Sequence, residues 1–229
     1  MKTYALILSA GSSTRFGGTI KKQFYKINDK PVLFYSLNAF NKSKQIDEIV
    51  LVTSIDDVEL VKAFVKENNF NKVSQIVVGG DARQESVKHG LDVISDEGYV
   101  LIHDAARPLV DEEIISSLLK ALEDNDGAAP AIKVVDTIIR VENNELSSFE
   151  DREKLYRIQT PQAFRLNVIK EAHVRFLNHN ATDDTQLVKL LGKKVAIVPG
   201  KEQLRKITTL EDTNAIEAYI KNNEQLQSK

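Results

Sequence analysis

The sequence predicts an α/β fold: an open, mostly parallel sheet with helices on both faces and a protruding β-hairpin arm. Three observations carry this. Short apolar runs such as Ile49-Val50-Leu51-Val52 are continuous instead of alternating, as in strands covered on both faces. Between them lie segments with apolar residues at helical spacing, and strand–helix–strand alternation is the pattern of a parallel sheet with right-handed crossovers. Glycine is also concentrated. Gly11, Gly17, Gly18, Gly79 and Gly80 are half of the ten glycines, and both clusters follow predicted strands.

In chain order, residues 4–8 make the first strand, since their apolar run is shorter than the roughly 7 to 15 residues of a secretory signal core. Residues 31–40 make a helix opened by Pro31, with Val32, Leu33, Leu37 and Phe40 on its stripe. A strand at 46–53, a helix at 58–67 with Val58, Val61, Phe64 and Val65 inward, and a strand at 73–78 follow. The rhythm continues with a helix from 83 to about 94, a strand at 99–102, a helix at 111–122 and a strand at 128–134. Residues 136–157 break it: Thr137 to Val141 are β-prone, Glu142-Asn143-Asn144-Glu145 is a turn, and the chain returns from Leu146 to Ile158. This predicts a hairpin arm, and a lone hairpin is marginal in water, so a partner subunit is expected to cover it. Helices at 165–177 and 184–191, a strand at 195–198, the segment 205–209 and a helix at 210–219 close the chain, with a polar, frayed end. All 229 residues are expected to form one Rossmann-like domain with the arm at about 136–157.

Composition narrows the function. With 31 basic and 33 acidic residues the net charge is −2, which gives no electrostatic case for nucleic acid or an anionic membrane as partner. The absence of cysteine excludes disulfides, thiolate metal sites and a thiol nucleophile, and it agrees with a cytoplasmic location. No apolar segment approaches the roughly 20 residues that span a bilayer.

In open parallel sheets ligands bind beyond the carboxyl ends of the strands. Residues 9–23, Ser-Ala-Gly-Ser-Ser-Thr-Arg-Phe-Gly-Gly-Thr-Ile-Lys-Lys-Gln, leave such an end. Small residues there leave backbone N–H groups free for phosphate oxygens, while Arg15, Lys21 and Lys22 supply cations. The spacing fits neither the Walker loop nor the dinucleotide fingerprint. Asp104, just after a buried strand, is a candidate Mg²⁺ ligand, because a hard cation takes carboxylate oxygen; the alternative is bonding within its own turn. Arg107 either binds phosphate or braces that turn against an acidic neighbour. His103 packs or makes a structural hydrogen bond, since attack by an ionised phosphate needs no general base. His89, His173 and His179 show no metal spacing.

The loop at 9–23, Gly79-Gly80-Asp81-Ala82-Arg83-Gln84-Glu85-Ser86-Val87, His103-Asp104-Ala105-Ala106-Arg107-Pro108, Asp136-Thr137, Asp151-Arg152, Gln159-Thr160-Pro161-Gln162-Ala163-Phe164, Thr182-Asp183-Asp184 and Lys206-Ile207-Thr208 together resemble the 2-C-methyl-D-erythritol 4-phosphate cytidylyltransferase family. The blocks run in order over nearly the whole chain. The resemblance implies transfer of CMP from CTP to a sugar-alcohol phosphate, with Mg²⁺, and release of pyrophosphate. It implies catalytic roles for Arg15, Lys22 and Lys206, and nucleotide binding by Ala10, Gly11, Gly80, Asp81, Ser86 and Ala105. Acceptor binding would fall to Asp104, Arg107, Thr137, Arg152 and Thr160, with Thr137 and Arg152 brought by the arm of a homodimer partner. The chain departs from the usual pattern at Ser9, Ser13, Phe16 and Lys21, where alanine, glycine, methionine and proline are common, and at Leu204-Arg205-Lys206, where Asn-Ile-Lys is usual. The sister ribitol 5-phosphate cytidylyltransferases usually carry Asp-Ala-Val-Arg-Pro and lack Thr-Asp-Asp, so Ala106 and Thr182-Asp183-Asp184 favour the erythritol acceptor. A nucleotide-sugar glycosyltransferase would usually carry an Asp-x-Asp metal triplet after a core strand, and none stands there.

Overall fold

A computed structural model describes residues 1–13, 16, 20–95 and 97–227. The first strand, β1 (Lys2–Leu8), lies inside a sheet between β4 (Glu48–Thr53) and β6 (Gly98–Asp104), parallel to both. β5 (Val73–Val78) extends this parallel block beside β4. Alternate residues of β1 serve two cores, as the pleat requires. Ala5 and Ile7 join Leu33, Leu37, Phe40, Val61, Ile114 and Leu118 from α1 (Val32–Lys42), α2 (Val58–Glu67) and α4 (Glu112–Ala121). Tyr4 and Leu6 join Val87, Leu91, Ile169, Ala172, Leu187 and Val188 from α3 (Arg83–Asp92), α5 (Leu166–Arg175) and α6 (Asp184–Leu190). Helices therefore cover both faces, as the sequence predicts.

The second half of the sheet carries the differences. β7 (Gly127–Lys133) runs in the same direction as β6 but is separated from it by β11 (Gln162–Arg165), which pairs antiparallel with both. The sequence predicts no strand there. The segment is four residues long and enters the sheet straight after Thr160-Pro161, too short to show any period. β12 (Val195–Pro199) pairs parallel with the other side of β7. The predicted hairpin is present as β8 (Ile139–Glu142) and β9 (Glu145–Phe149), which pair with each other in a separate two-stranded sheet. Its return ends at Phe149 and not at Ile158, because β10 (Tyr156–Ile158) pairs antiparallel with β7 in the main sheet. β6 also runs two residues further than predicted, so His103 and Asp104 belong to the strand itself.

A small ribbon, β2 (Lys26–Ile27) with β3 (Lys30–Pro31), follows the first loop. Under it sits a third core of Phe16, Ile27, Val32, Ile207, Ile216 and Ile220, which includes the last helix, α7 (Glu211–Gln227). That helix continues eight residues beyond the predicted Tyr219. Gly90 lets α3 lie close on β1, for a Cβ there would fall 2.3 Å from Leu6 Cδ1. The start of α3 is thereby held beside the ends of β1 and β4.

Candidate active site

Beyond the ends of β1, β5 and β6 lies a cavity of about 530 Å³, a volume suited to a nucleotide-sized ligand. Ala10, Gly11, Lys22, Gly80, Asp81, Ser86, Asp104, Ala105 and Lys206, from distant parts of the sequence, all line it. Arg15 lies outside the described residues.

The lip is the first loop. Ser13 has φ +60°, the left-handed conformation that glycine adopts freely and serine adopts at a cost. Its hydroxyl donates to Gln23 Oε1 and accepts from the Lys22 backbone N–H, both at 3.1 Å. The Gln23 amide in turn donates to the carbonyls of Ser9 at 2.9 Å and Gly11 at 3.3 Å. One buried glutamine thus fastens the loop from within. The two adjacent lysines diverge. Lys21 Nζ bonds Asp57 Oδ2 at 2.7 Å and Ser54 Oγ at 3.0 Å, whereas Lys22 lines the cavity. Phe16, in place of the common methionine, is buried with its ring 5.3 Å from Tyr25 in an edge contact.

On the opposite wall the Ser86 hydroxyl accepts from Gly80 N at 3.1 Å, and Glu85 Oε2 accepts from Asp81 N at 2.8 Å. A Cβ at Gly80 would fall 2.2 Å from the Glu85 side chain, so any larger residue would displace Glu85 from Asp81 N. Ser86 shapes the turn that presents Gly80 and Asp81.

The floor is built around Asp104. Its Oδ2 takes a hydrogen bond from Lys206 Nζ at 2.6 Å and its Oδ1 from Arg83 Nε at 3.2 Å. Burial pushes the Asp104 carboxyl up, but the Arg83, Lys206 and Arg107 cations outweigh it and hold the group well below the usual carboxylate range. Arg83 also reaches Asp184 Oδ2 through Nη1 at 2.7 Å, and Asp184 Oδ1 lies 3.0 Å from His173 Nε2. His103 is fully buried beneath: Nε2 donates to the Arg107 carbonyl, so Nδ1 accepts from the Thr160 hydroxyl, which itself accepts from Asp104 N. Burial pushes the His103 pKa down to about 3, so the ring is neutral and structural. Thr160 therefore sits under the floor and does not line the cavity.

Arg107 braces the site, though through a backbone carbonyl and not the expected acidic neighbour: its Nη1 donates to the Leu204 carbonyl at 2.6 Å. That bond, with Ile207 N donating to Ala106 O at 2.8 Å, docks the segment carrying Lys206 onto the end of β6. Leu204 is buried and Arg205 exposed, so the unusual charge beside Lys206 is solvated. Thr137 and Arg152 are exposed at the base of the hairpin and do not line the cavity; Arg152 Nη1 donates to the Val135 carbonyl at 3.0 Å.

Among the described residues no three His, Cys, Asp or Glu side chains gather as a metal cluster. Asp104 offers one carboxylate, already matched by two cations. Magnesium keeps water and phosphate ligands and needs only one or two carboxylates, so Asp104 would serve it only once Lys206 leaves Oδ2. Arg83 and Asp184 are the members that the sequence did not single out. Both lie inside quoted blocks, but nothing local pairs residues 101 positions apart.

Residues 3–222 match the family model described as IspD, 2-C-methyl-D-erythritol 4-phosphate cytidylyltransferase. A 2-C-methyl-D-erythritol 4-phosphate cytidylyltransferase of Clostridium perfringens is 40% identical over 224 residues, 96% of this chain and 99% of the relative. The crystal structure of the 4-diphosphocytidyl-2C-methyl-D-erythritol synthase of Anaerococcus prevotii superposes with a TM-score of 0.83 at 30% identity, covering 96% of this chain and 98% of that one. The bifunctional IspDF of Campylobacter jejuni superposes with a TM-score of 0.80 at 32% identity, covering 93% of this chain and 53% of that longer one.

Proposed function

The chain belongs to the 2-C-methyl-D-erythritol 4-phosphate cytidylyltransferase family, and on that premise we propose how the cavity carries out the family's reaction. It is a nucleotidyltransferase that moves CMP from CTP to 2-C-methyl-D-erythritol 4-phosphate in non-mevalonate isoprenoid precursor synthesis. A phosphate oxygen of the acceptor attacks the α-phosphorus of CTP, a new P–O bond forms, and the bond to the β-phosphate breaks to release pyrophosphate. No covalent intermediate on the protein is required, so its task is positioning and charge stabilisation. The ribitol phosphate and glycosyltransferase alternatives are not favoured.

The observation that carries this assignment is the convergence of Lys22, Lys206 and the Gly80 turn on one cavity. Lys22 and Lys206, with Arg15, neutralise the charge that builds on the pentacoordinate phosphorus. Ala10, Gly11, Gly80, Asp81, Ser86 and Ala105 hold the nucleoside, the backbone amides at the glycine turn reading the pyrimidine edge. Asp104 would hold Mg²⁺ together with the substrate phosphates, and the ion when bound would supply neutralisation of the triphosphate. Arg107 and Thr160 support the acceptor end of the site from behind it. Thr137 and Arg152 act in the cavity of a second copy, so the working form is a homodimer joined through the hairpin. The exposed apolar residues Val141, Leu146 and Phe149 support such a cover. One domain spans the chain, and its place is the cytoplasm, in keeping with the lack of cysteine. No helix among the described residues is long and apolar enough to cross a membrane.

The test is pyrophosphate release from CTP with methylerythritol phosphate, set against ribitol 5-phosphate as acceptor and ATP, GTP and UTP as donors. Turnover with CTP and methylerythritol phosphate alone is expected. Faster turnover with ribitol 5-phosphate would overturn the acceptor, and no release with either would overturn the activity.

A further inference from the structure

We propose that Arg83 is a positioning residue, clamped from behind by Asp184 and His173, that keeps Asp104 paired while Lys206 turns from it to a substrate phosphate. The inference rests on the reading of the cavity given above and adds to it a role for two residues, Arg83 and Asp184.

From Asp184 to Lys206 the side chains form a line of alternating charge, with His173 bonded at its far end. His173 Nε2 lies 3.0 Å from Asp184 Oδ1, Asp184 Oδ2 accepts from Arg83 Nη1 at 2.7 Å, Arg83 Nε donates to Asp104 Oδ1 at 3.2 Å, and Asp104 Oδ2 accepts from Lys206 at 2.6 Å. The line has a fixed end and a loose end. Along the line side-chain exposure is 1% at Asp184, 23% at Arg83, 12% at Asp104 and 35% at Lys206, lowest at one end and highest at the other. Asp184 begins α6, where its neighbour Asp183 is itself held by Gln162 Nε2 at 2.5 Å and accepts from Thr185 N at 2.9 Å. The Arg83 fork matches two carboxylates at once, which the single ammonium of a lysine cannot do in the same geometry.

The consequence concerns Lys206. A buried carboxylate stripped of its last cation is strongly unfavourable. If Lys206 were the sole partner of Asp104, it would be held there and withheld from phosphate. With Arg83 fixed on Oδ1, Lys206 can leave Oδ2 before magnesium is bound there, and Asp104 still keeps a cation. Arg83 lines the cavity, but with Nε on Asp104 and Nη1 on Asp184 it acts on the reaction through Asp104 and Lys206, and its loss falls on turnover and not on nucleotide affinity.

The test uses Asp184→Asn and the double variant Arg83→Gln/Asp184→Asn, in which the pair is removed together so that neither charge is orphaned. Kinetics and crystal structures of both are compared with the unaltered protein. The double variant is expected to lower kcat by on the order of 10²-fold, with the KM for CTP within about threefold. Asp184→Asn is expected to lower kcat by about tenfold, because Arg83 remains but is no longer held. The crystal structure of the double variant should show Asp104 turned from its place towards Lys206. Folded variants that keep kcat within about twofold would overturn the proposal, as would a loss confined to the KM for CTP or for the acceptor. An unmoved Asp104–Lys206 pair in the double variant would also overturn it, since Arg83 would then act directly on substrate. Absence of turnover in the unaltered protein strikes the proposed function instead, and the crystal structures still decide whether Arg83 sets Asp104.

Discussion

The floor of the cavity and its lip lie a few residues apart in space and are held in different ways. On the floor, Asp104, Arg83, Asp184 and Lys206 find partners 21 to 102 positions away in sequence. Every one of those bonds depends on the sheet being assembled. At the lip, Ser13, Lys22 and Gln23 bond one another within ten positions, and Gln23 reaches back only to Ser9 and Gly11. The floor is set by the fold as a whole, whereas the bonds of Ser13 and Gln23 at the lip are made within its own few residues. Of the departures from the usual family pattern at the lip, Ser13 is absorbed by these local bonds, while Ser9 bonds the Val52 carbonyl, Lys21 bonds Asp57 and Phe16 packs in the third core.

The largest effect should come from the lip's one described cation in the cavity. Lys22→Ala is expected to lower kcat by roughly 10² or more, because a donor aimed at charge present only in the transition state is removed. Lys21→Ala is the contrast, since Lys21 does not line the cavity and its ammonium is engaged with Asp57 and with Ser54 at the cavity's edge. It should leave kcat near normal and instead lower stability. Steady-state pyrophosphate release on the two variants checks this, and equal losses of kcat would erase the distinction drawn between the neighbouring lysines.

The floor should answer to pH. His103 is held neutral down to about pH 3 against an ordinary value of 6.5, so between those values the unfolded chain binds a proton that the folded chain refuses. Stability therefore falls as pH falls, by about 2 kcal/mol between pH 7 and pH 5. Asp104 and Asp184, both depressed by the Arg83 cation against the opposing push of burial, lose their contribution in the same direction at more acid pH, below the ordinary carboxylate range. Denaturant midpoints across pH measure the sum. His103→Gln should flatten the upper part of the curve and leave the acid part; a curve unchanged by that substitution would remove His103 from the account.

The same contrast explains what could be read in the sequence. The sheet, its helices and the lip were legible because their signals are local: continuous apolar runs, helical stripes, glycine clusters and adjacent cations. The ordered motif blocks pointed to the family and, through it, to Asp104 and Lys206. The Arg83–Asp184 clamp was hidden, since each residue reads locally as a charge at the start of a helix and only the assembled sheet joins them. β11 was hidden for a related reason. Its identity lies in pairing with β6 and β7, not in any pattern along Gln162–Arg165. The bracing role of Arg107 likewise needs Leu204, 97 positions away.

The hairpin extends the comparison to a region held by neither device. Arg152 is exposed, bonds the Val135 carbonyl, and does not line the cavity of its own chain. If it serves a second copy, Arg152→Ala should raise the KM for the acceptor by about tenfold while leaving that for CTP unchanged. Mixing this variant with Lys22→Ala protein should then restore part of the activity, in dimers where one cavity is intact on both sides. Equal rises in both KM values would place Arg152 in a structural role.

The smallest effect, and the one that isolates the lip, is at Ser13. Serine at φ +60° costs about 1 kcal/mol relative to glycine, while its hydroxyl makes two bonds, to Lys22 N and to Gln23 Oε1, each contributing about 0.5 to 1.5 kcal/mol. Ser13→Gly removes the strain and the bonds together, so stability should stay within about 1 kcal/mol of the original. Ser13→Ala keeps a Cβ in the left-handed region and loses the bonds, so it should be the less stable of the two by about 1 kcal/mol. Both release the Lys22 backbone and should lower kcat alike by a few-fold, since the hydroxyl that ties it to the loop is gone in each. Thermal unfolding separates strain from bonding because the two variants differ in the first and share the second. If Ser13→Ala matched the original protein in both stability and kcat, the hydroxyl would not be what holds the lip, and the contrast between a locally fastened lip and a globally fastened floor would have to rest on Gln23 alone.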